Sequence, residues 1–159
     1  MDRSICISGF PGSGKSTVAF RLAERFGLPV VSAGSIMREA AAERGMSVTE
    51  LNLASEDASD LDNLIDTTIK TKASQEACIL DSRMAWYFVE DCVKVFLEVS
   101  SYEAALRAMK RPATSEEAYD DLETARLAIE NRRMSESKRY KKFYSVDITD
   151  QAHFDLYIF

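Results

Sequence analysis

The stretch Gly9-Phe10-Pro11-Gly12-Ser13-Gly14-Lys15-Ser16-Thr17 is a complete phosphate-binding loop of the form G-x-x-x-x-G-K-[ST]. Glycine lets the chain turn with positive φ and brings backbone N–H groups against phosphate oxygens, and a following helix aims its free amides and dipole at the same charge. In such a loop the lysine reaches the β- and γ-phosphates and the hydroxyl after it ligates Mg²⁺. Gly9, Gly12, Ser13, Gly14, Lys15, Ser16 and Thr17 are therefore the candidate ligands of ATP, with Ser16 on Mg²⁺. With glycine at roughly 7% of residues, chance produces this pattern in well under about one chain in a hundred.

The flanks place the loop between a strand and a helix. Ser4–Ser8 is a short apolar run of strand length, and Val18, Leu22 and Phe26 recur every fourth residue, which predicts one buried stripe of a helix. Further strand-like runs at Pro29–Ser32, Ala77–Leu80, Val93–Val99 and Asp155–Phe159 alternate with helical segments. That alternation predicts an α/β fold with a parallel sheet covered on both faces. Ser47-x-x-Glu50, Ser100-x-x-Glu103 and Thr114-x-x-Glu117 read as capping boxes at helix starts. Arg111-Pro112-Ala113-Thr114-Ser115 reads as a short mobile connector, with proline ending one helix and threonine capping the next.

The chain has 159 residues, which predicts one domain. Its 20 basic and 26 acidic side chains give a net charge of −6, which argues against a general nucleic-acid or anionic-membrane binder. The apolar runs are strand-sized and no signal segment precedes the first strand, so a cytoplasmic location is expected, with no membrane or nucleic-acid partner and a monomeric state. Cys6, Cys78 and Cys92 form no C-x-x-C pair and are expected as buried free thiols, Cys92 lying just before a strand; His153 is expected at the surface or at a helix cap.

Phosphoryl transfer is mainly alignment and charge neutralisation, so the positions of arginines and carboxylates matter most. Asp81 directly after an apolar strand is the candidate Mg²⁺ carboxylate, because α/β folds bind ligands at the carboxyl edge of the sheet. Arg83 lies two residues further on and Arg38 follows Ser32-Ala33-Gly34-Ser35, so both project over that edge and are candidates to clamp an acceptor phosphate. Arg107 with Arg111, and Arg132 with Arg139, share helix faces and flank the connector, where they are candidates to close over the triphosphate. Arg132-Arg133 also reads as part of a solvated basic helix end. Asp62 and Asp66, one helical turn apart, fit two readings equally: carboxylates presented to a base or ribose, and polar positions of an amphipathic helix. Trp86 reads as packing rather than a stacking platform.

In these elements the chain resembles the nucleoside monophosphate kinases, and among them the short cytidylate kinases typical of archaea. The resemblance rests on Ile7 to Thr17, on Val31-Ser32-Ala33-Gly34-Ser35-Ile36-Met37-Arg38-Glu39, on Arg44-Gly45-Met46-Ser47, and on Leu61-Asp62 with Ile65-Asp66. It continues through Asp81-Ser82-Arg83-Met84-Ala85, Ser135-Glu136, Lys138-Arg139-Tyr140, Tyr144, Asp147-Ile148, Asp150 and Phe154-Asp155-Leu156. It implies a three-layer P-loop kinase with five parallel strands ordered 2-3-1-4-5, acceptor-binding helices around residues 33–74 and a lid near 111–116. It further implies that Gly12 to Thr17 hold the triphosphate, that Arg38 and Arg83 hold the acceptor phosphate, that Asp81 serves the metal, and that Arg107, Arg111, Arg132 and Arg139 belong to the lid. The implied reaction is phosphorylation of CMP or dCMP by ATP. Ser35 stands where the family often has Asp, and Ala85 where a glycine often precedes the tryptophan. A P-loop kinase of another small acceptor, and a non-catalytic ATP-binding module, are the other readings of the same residues.

Overall fold

Ser4–Gly9 forms β1, and all six of its residues are buried, as expected of a central strand covered on both faces. This computed structural model describes residues 3–47, 50–51, 60–110 and 119–159. After β1 come α1 (Lys15–Phe26), β2 (Val30–Ser32), α2 (Ala33–Glu43), α3 (Asp60–Gln75), β3 (Ile79–Asp81) and α4 (Ala85–Phe88). They are followed by β4 (Cys92–Leu97), α5 (Ser101–Met109), α6 (Leu122–Tyr144), a 3₁₀ turn at Gln151–His153 and β5 (Leu156–Ile158). The strands make one five-stranded sheet in the order β2-β3-β1-β4-β5, the order that the resemblance implies. Parallel registers pair Ile7 with Asp81 and Ser32 with Asp81, so three neighbouring chain segments leave the same edge of the sheet.

The described residues group into two compact units, one running up to Ser8 and from Ser16 to Lys94, the other comprising Gly9–Lys15 and Val95–Phe159. In the first, Ile5, Ile7, Ile79 and Leu80 form the buried strand interior, and Leu61, Ile65 and Ile69 of α3 recur at helical spacing as its buried face. α3 packs on α2 and on α4. In the second, Ala104, Ala105 and Ala108 of α5 meet Ala125 and Ile129 of α6, and Phe10, Tyr119 and Leu122 close the cluster. Alanines on the facing surfaces allow a close helix approach. Phe96 is fully buried, meeting Phe10 edge-on at 5.3 Å, stacking on Tyr157 at 4.9 Å and touching Phe154 at 5.0 Å.

Several local expectations hold and several need correction. The Ser47 backbone N–H donates to Glu50 Oε2 at 2.7 Å and the Glu50 N–H to Ser47 Oγ at 3.1 Å, a reciprocal capping box. Ser100 caps α5 by accepting from the Glu103 N–H at 3.1 Å, whereas the Glu103 carboxylate turns to Arg107. Thr114, Arg111 and the proposed lid at 111–116 lie outside the described residues. The cap of α6 is Asp121, which accepts from the Thr124 N–H at 2.9 Å. The predicted stripe of α1 is displaced: Ala19 is its buried residue and Phe26 is 43% exposed. Seven residues on, Phe26 lies within about 20° of Ala19 around a 3.6-residue turn, so its exposure follows from its place as the last residue of α1 and not from its face.

Asp81 ends β3 rather than following it, because pairing with Ile7 and Ser32 carries the strand one residue beyond its apolar run, and Cys92 opens β4 rather than preceding it. All three cysteines are free and buried; Cys6 Sγ donates to Cys92 Sγ at 2.9 Å and Cys92 Sγ to the Val89 carbonyl at 3.0 Å. His153 is half-buried and ends a 3₁₀ turn whose other two residues, Gln151 and Ala152, are exposed. Among the described residues, no helix is long and apolar enough to cross a membrane.

Phe96→Ala is expected to lower unfolding stability by about 3–5 kcal/mol, against about 1 kcal/mol for Ser100→Ala, which removes only a cap. Urea denaturation of both variants checks this ranking; a Phe96→Ala loss no larger than that of Ser100→Ala would contradict it.

Candidate active site

The phosphate loop leaves β1 at Gly9 with φ +144°, and turns at Gly12 with φ +77°. A Cβ on Gly9 would stand 2.2 Å from the Leu97 carbonyl oxygen, and one on Gly12 would stand 2.7 Å from Ala104 Cβ. Both positions are thus reserved for glycine twice over, by backbone conformation and by space. Two main-chain bonds fix the turn: Phe10 N–H donates to the Leu97 carbonyl at 3.3 Å and Ser13 N–H to the Phe10 carbonyl at 3.2 Å.

Two cations sit on this turn. Lys15 Nζ donates to the Gly9 carbonyl at 3.1 Å and to the Phe10 carbonyl at 3.0 Å. Arg107 Nη1 donates to the Gly12 carbonyl at 3.2 Å while its Nε meets Glu103 at 3.1 Å. The loop carbonyls are thus engaged by cations, and α1 begins at Lys15, where the first amides of a helix lack intrahelical acceptors. Ser13 Oγ is buried and has no hydrogen-bond partner among the described residues. A buried hydroxyl left over in the same turn as Lys15 suits a polar or anionic oxygen and nothing apolar.

In the other unit, Asp81 is buried and gathers hydroxyls: Ser16 Oγ donates to its Oδ2 at 2.7 Å, and Ser32 Oγ to the same oxygen at 3.4 Å. A carboxylate with a serine hydroxyl is the hard-oxygen donor set that Mg²⁺ takes, usually with several waters retained. Register explains the cluster, since Ser32 and Asp81 are paired across β2 and β3. Arg83 follows β3 and is half-buried; its carbonyl accepts from Ser8 Oγ at 2.9 Å and from the Trp86 indole N–H at 2.8 Å. Trp86 is buried, so its packing role fixes the backbone that carries Arg83. Arg38 is exposed on α2 and donates to Ser35 Oγ at 3.0 Å. Asp62 and Asp66 are half-buried on α3, one turn apart.

Among the arginines flanking the connector, Arg107 is brought to the loop, and Arg111 lies outside the described residues. The contacts described for Arg132 and Arg139 are on their own helix: Arg132 Nε meets Glu136 at 3.0 Å, and Arg139 lies over Tyr140, its guanidinium 5.2 Å from the ring centroid. Sequence reading missed Ser32, Ser8 and Arg133. Ser32 and Ser8 act through partners 49 and 75 residues away, which local spacing does not show. Arg133 donates to the Val99 carbonyl at 2.8 Å and lies over the Phe10 ring.

A glycine turn between a parallel strand and a helix, carrying lysine and followed by hydroxyl and carboxylate, defines a P-loop phosphotransferase. The fold agrees: the chain superposes on a shikimate kinase from Bacteroides thetaiotaomicron with a TM-score of 0.68 at 14% identity, covering 99% of this chain and 86% of that one. The model of the cytidylate kinase-like family matches residues 4–159. The chain is 39% identical to a cytidylate kinase of Methanopyrus kandleri over 96% of its own length and 81% of the relative's. It is 37% identical to one of Archaeoglobus fulgidus, over 97% and 83%. The chain belongs to the cytidylate kinase-like family.

Gly12→Ala forces a side chain into Ala104 at a positive φ. It is expected to weaken Mg·ATP binding by at least about tenfold with an unchanged circular dichroism spectrum; calorimetric affinity equal to the parent's would contradict this reading of the turn.

Proposed function

We propose that the protein transfers the γ-phosphoryl group of ATP to CMP or dCMP, giving ADP and CDP or dCDP, as a monomer in the cytoplasm. The observation that carries the acceptor assignment is the family match over residues 4–159, joined by relatives named cytidylate kinase at 37–39% identity. The glycine turn with Lys15 and the unpartnered Ser13 hydroxyl supports the donor assignment.

In this reading an oxygen of the acceptor phosphate attacks the γ-phosphorus, the bond to the β–γ bridging oxygen breaks, and ADP leaves with that electron pair. The attacking oxygen is already anionic near neutral pH, so no side-chain base is required; alignment and charge shielding carry the reaction. Gly9, Gly12, Ser13, Gly14, Lys15, Ser16 and Thr17 take the triphosphate, and Lys15 exchanges its loop carbonyls for phosphate oxygens. Ser16 and Asp81 would hold Mg²⁺, which would supply positive charge to offset the charge on the transferring phosphoryl group. Arg38 and Arg83 take the acceptor phosphate, and Asp62 and Asp66 take donors of its base or ribose. Arg107, Arg111, Arg132 and Arg139 shield the transferring group.

Lys15→Ala is expected to lower CMP-dependent ADP release by about three orders of magnitude with the fold retained; a parental rate would remove the loop from the reaction. Arg83→Ala is expected to raise the KM for CMP and lower kcat, each by about tenfold or more, with ATP affinity unchanged. Steady-state kinetics in both substrates separate these effects, and unaltered CMP constants would remove Arg83 from the acceptor site.

A further inference from the structure

Arg132 and Arg133 are adjacent on α6, yet they have different fates. Arg132 is exposed and paired along its own helix with Glu136, whereas Arg133 turns inward and is only half-exposed. The Arg133 guanidinium carbon lies 4.4 Å from the centroid of the Phe10 ring, and one of its terminal nitrogens donates to the Val99 carbonyl at 2.8 Å. Its Nε is buried and has no hydrogen-bond partner among the described residues. Burial pushes this guanidinium below its ordinary value, against the opposing pull of Glu98, Glu130 and Glu136. A cation that leaves one N–H unsatisfied and gives up hydration is costly unless its charged face is used. The only aromatic face it meets among the described contacts is that of Phe10.

Phe10 is the first residue inside the phosphate loop, and its carbonyl is the loop's junction. That oxygen accepts from Lys15 Nζ at 3.0 Å and from the Ser13 N–H at 3.2 Å, while the Phe10 N–H is tied to Leu97 at 3.3 Å. Its ring is held between Phe96, edge-on at 5.3 Å, and Arg133 on its face. Val99, the other anchor of Arg133, precedes α5, whose Ala104 bears on Gly12. Arg133 therefore bears on the turn that presents Lys15 and Ser13 through the Phe10 ring, and is anchored by the Val99 carbonyl to the segment leading into α5.

We propose that Arg133 is a positioning residue for the phosphate loop, fixing the Phe10 peptide, and through it Lys15 and Ser13, in the conformation that receives a triphosphate. The proposal rests on the reading of this loop as the ATP site. In this proposal the effect of Arg133 passes through the Phe10 ring.

The test is calorimetric titration of Mg·ATP into the full-length parent and into Arg133→Met, Arg133→Gln, Arg133→Lys, Phe10→Leu and Phe10→Leu/Arg133→Met. All titrations are run well below each protein's melting transition, so that a loss of stability alone leaves the affinity unmoved. Arg133→Met and Arg133→Gln are expected to bind about tenfold more weakly, Arg133→Lys to recover to within about threefold of the parent, and Phe10→Leu to lose as much as Arg133→Met. Adding Arg133→Met to Phe10→Leu is expected to cost less than about twofold more, because the two side chains act as one unit. Parental affinity in both Arg133→Met and Arg133→Gln overturns the proposal while leaving the loop's assignment intact. So does a full Arg133→Met loss on the Phe10→Leu background. A folded parent that takes up no Mg·ATP overturns both the proposal and the reading of the loop.

Discussion

The structure depends on two places where backbone meets backbone or methyl with no room for a side chain: Gly9 against the Leu97 carbonyl, and Gly12 against Ala104. The turn reaches its shape only because the chain between β1 and α1 can be pressed onto β4 and α5. The reciprocal adjustment is visible on the helices, where Ala104, Ala105 and Ala108 face Ala125 and Ile129 and permit that approach. A larger residue on this side of α5 would lift the helix and open the turn. Close packing and anion recognition are thus one constraint seen from two sides.

Charge placement follows the same logic. The chain is acidic overall, at −6, yet Lys15, Arg107 and Arg133 converge on the loop's carbonyls and its aromatic residue. Net charge predicts behaviour toward extended polyanions, whereas a small triphosphate responds to the few cations within reach of its oxygens. In the other unit, Asp81 holds the serine of the loop's G-K-S and the serine that ends β2 on one carboxylate oxygen. That hydroxyl–carboxylate set suits a small hard cation. The acceptor assignment, by contrast, rests on the family.

Most of what decides the fold was legible from residues alone: the glycine loop, the alternation of strand and helix, the capping box realised at Ser47 and the N-cap at Ser100, whose Glu103 turns to Arg107 instead of closing the box. The strand order came from resemblance, since periodicity does not say which strands are neighbours. Illegible features share one cause, dependence on partners distant in sequence. Asp81 lies inside β3 because it pairs with Ile7 and Ser32, not because its own side chain favours a strand. On α6, spacing groups Arg132 with Arg139 but does not say which face turns inward. Arg133 shares a face with the buried Ala125, Ile129 and Tyr140, but that spacing does not say which distant segment the face meets.

The claim that binds these parts together is that a backbone cradle with a few cations hands a terminal phosphoryl group to a cytidine nucleotide. Its most direct test is ADP release from Mg·ATP by the purified protein with CMP, dCMP, UMP, AMP or GMP, or with no acceptor. The account predicts release that requires an acceptor and is fastest with CMP or dCMP. Release indifferent to acceptor, or fastest with a purine nucleotide, would contradict it.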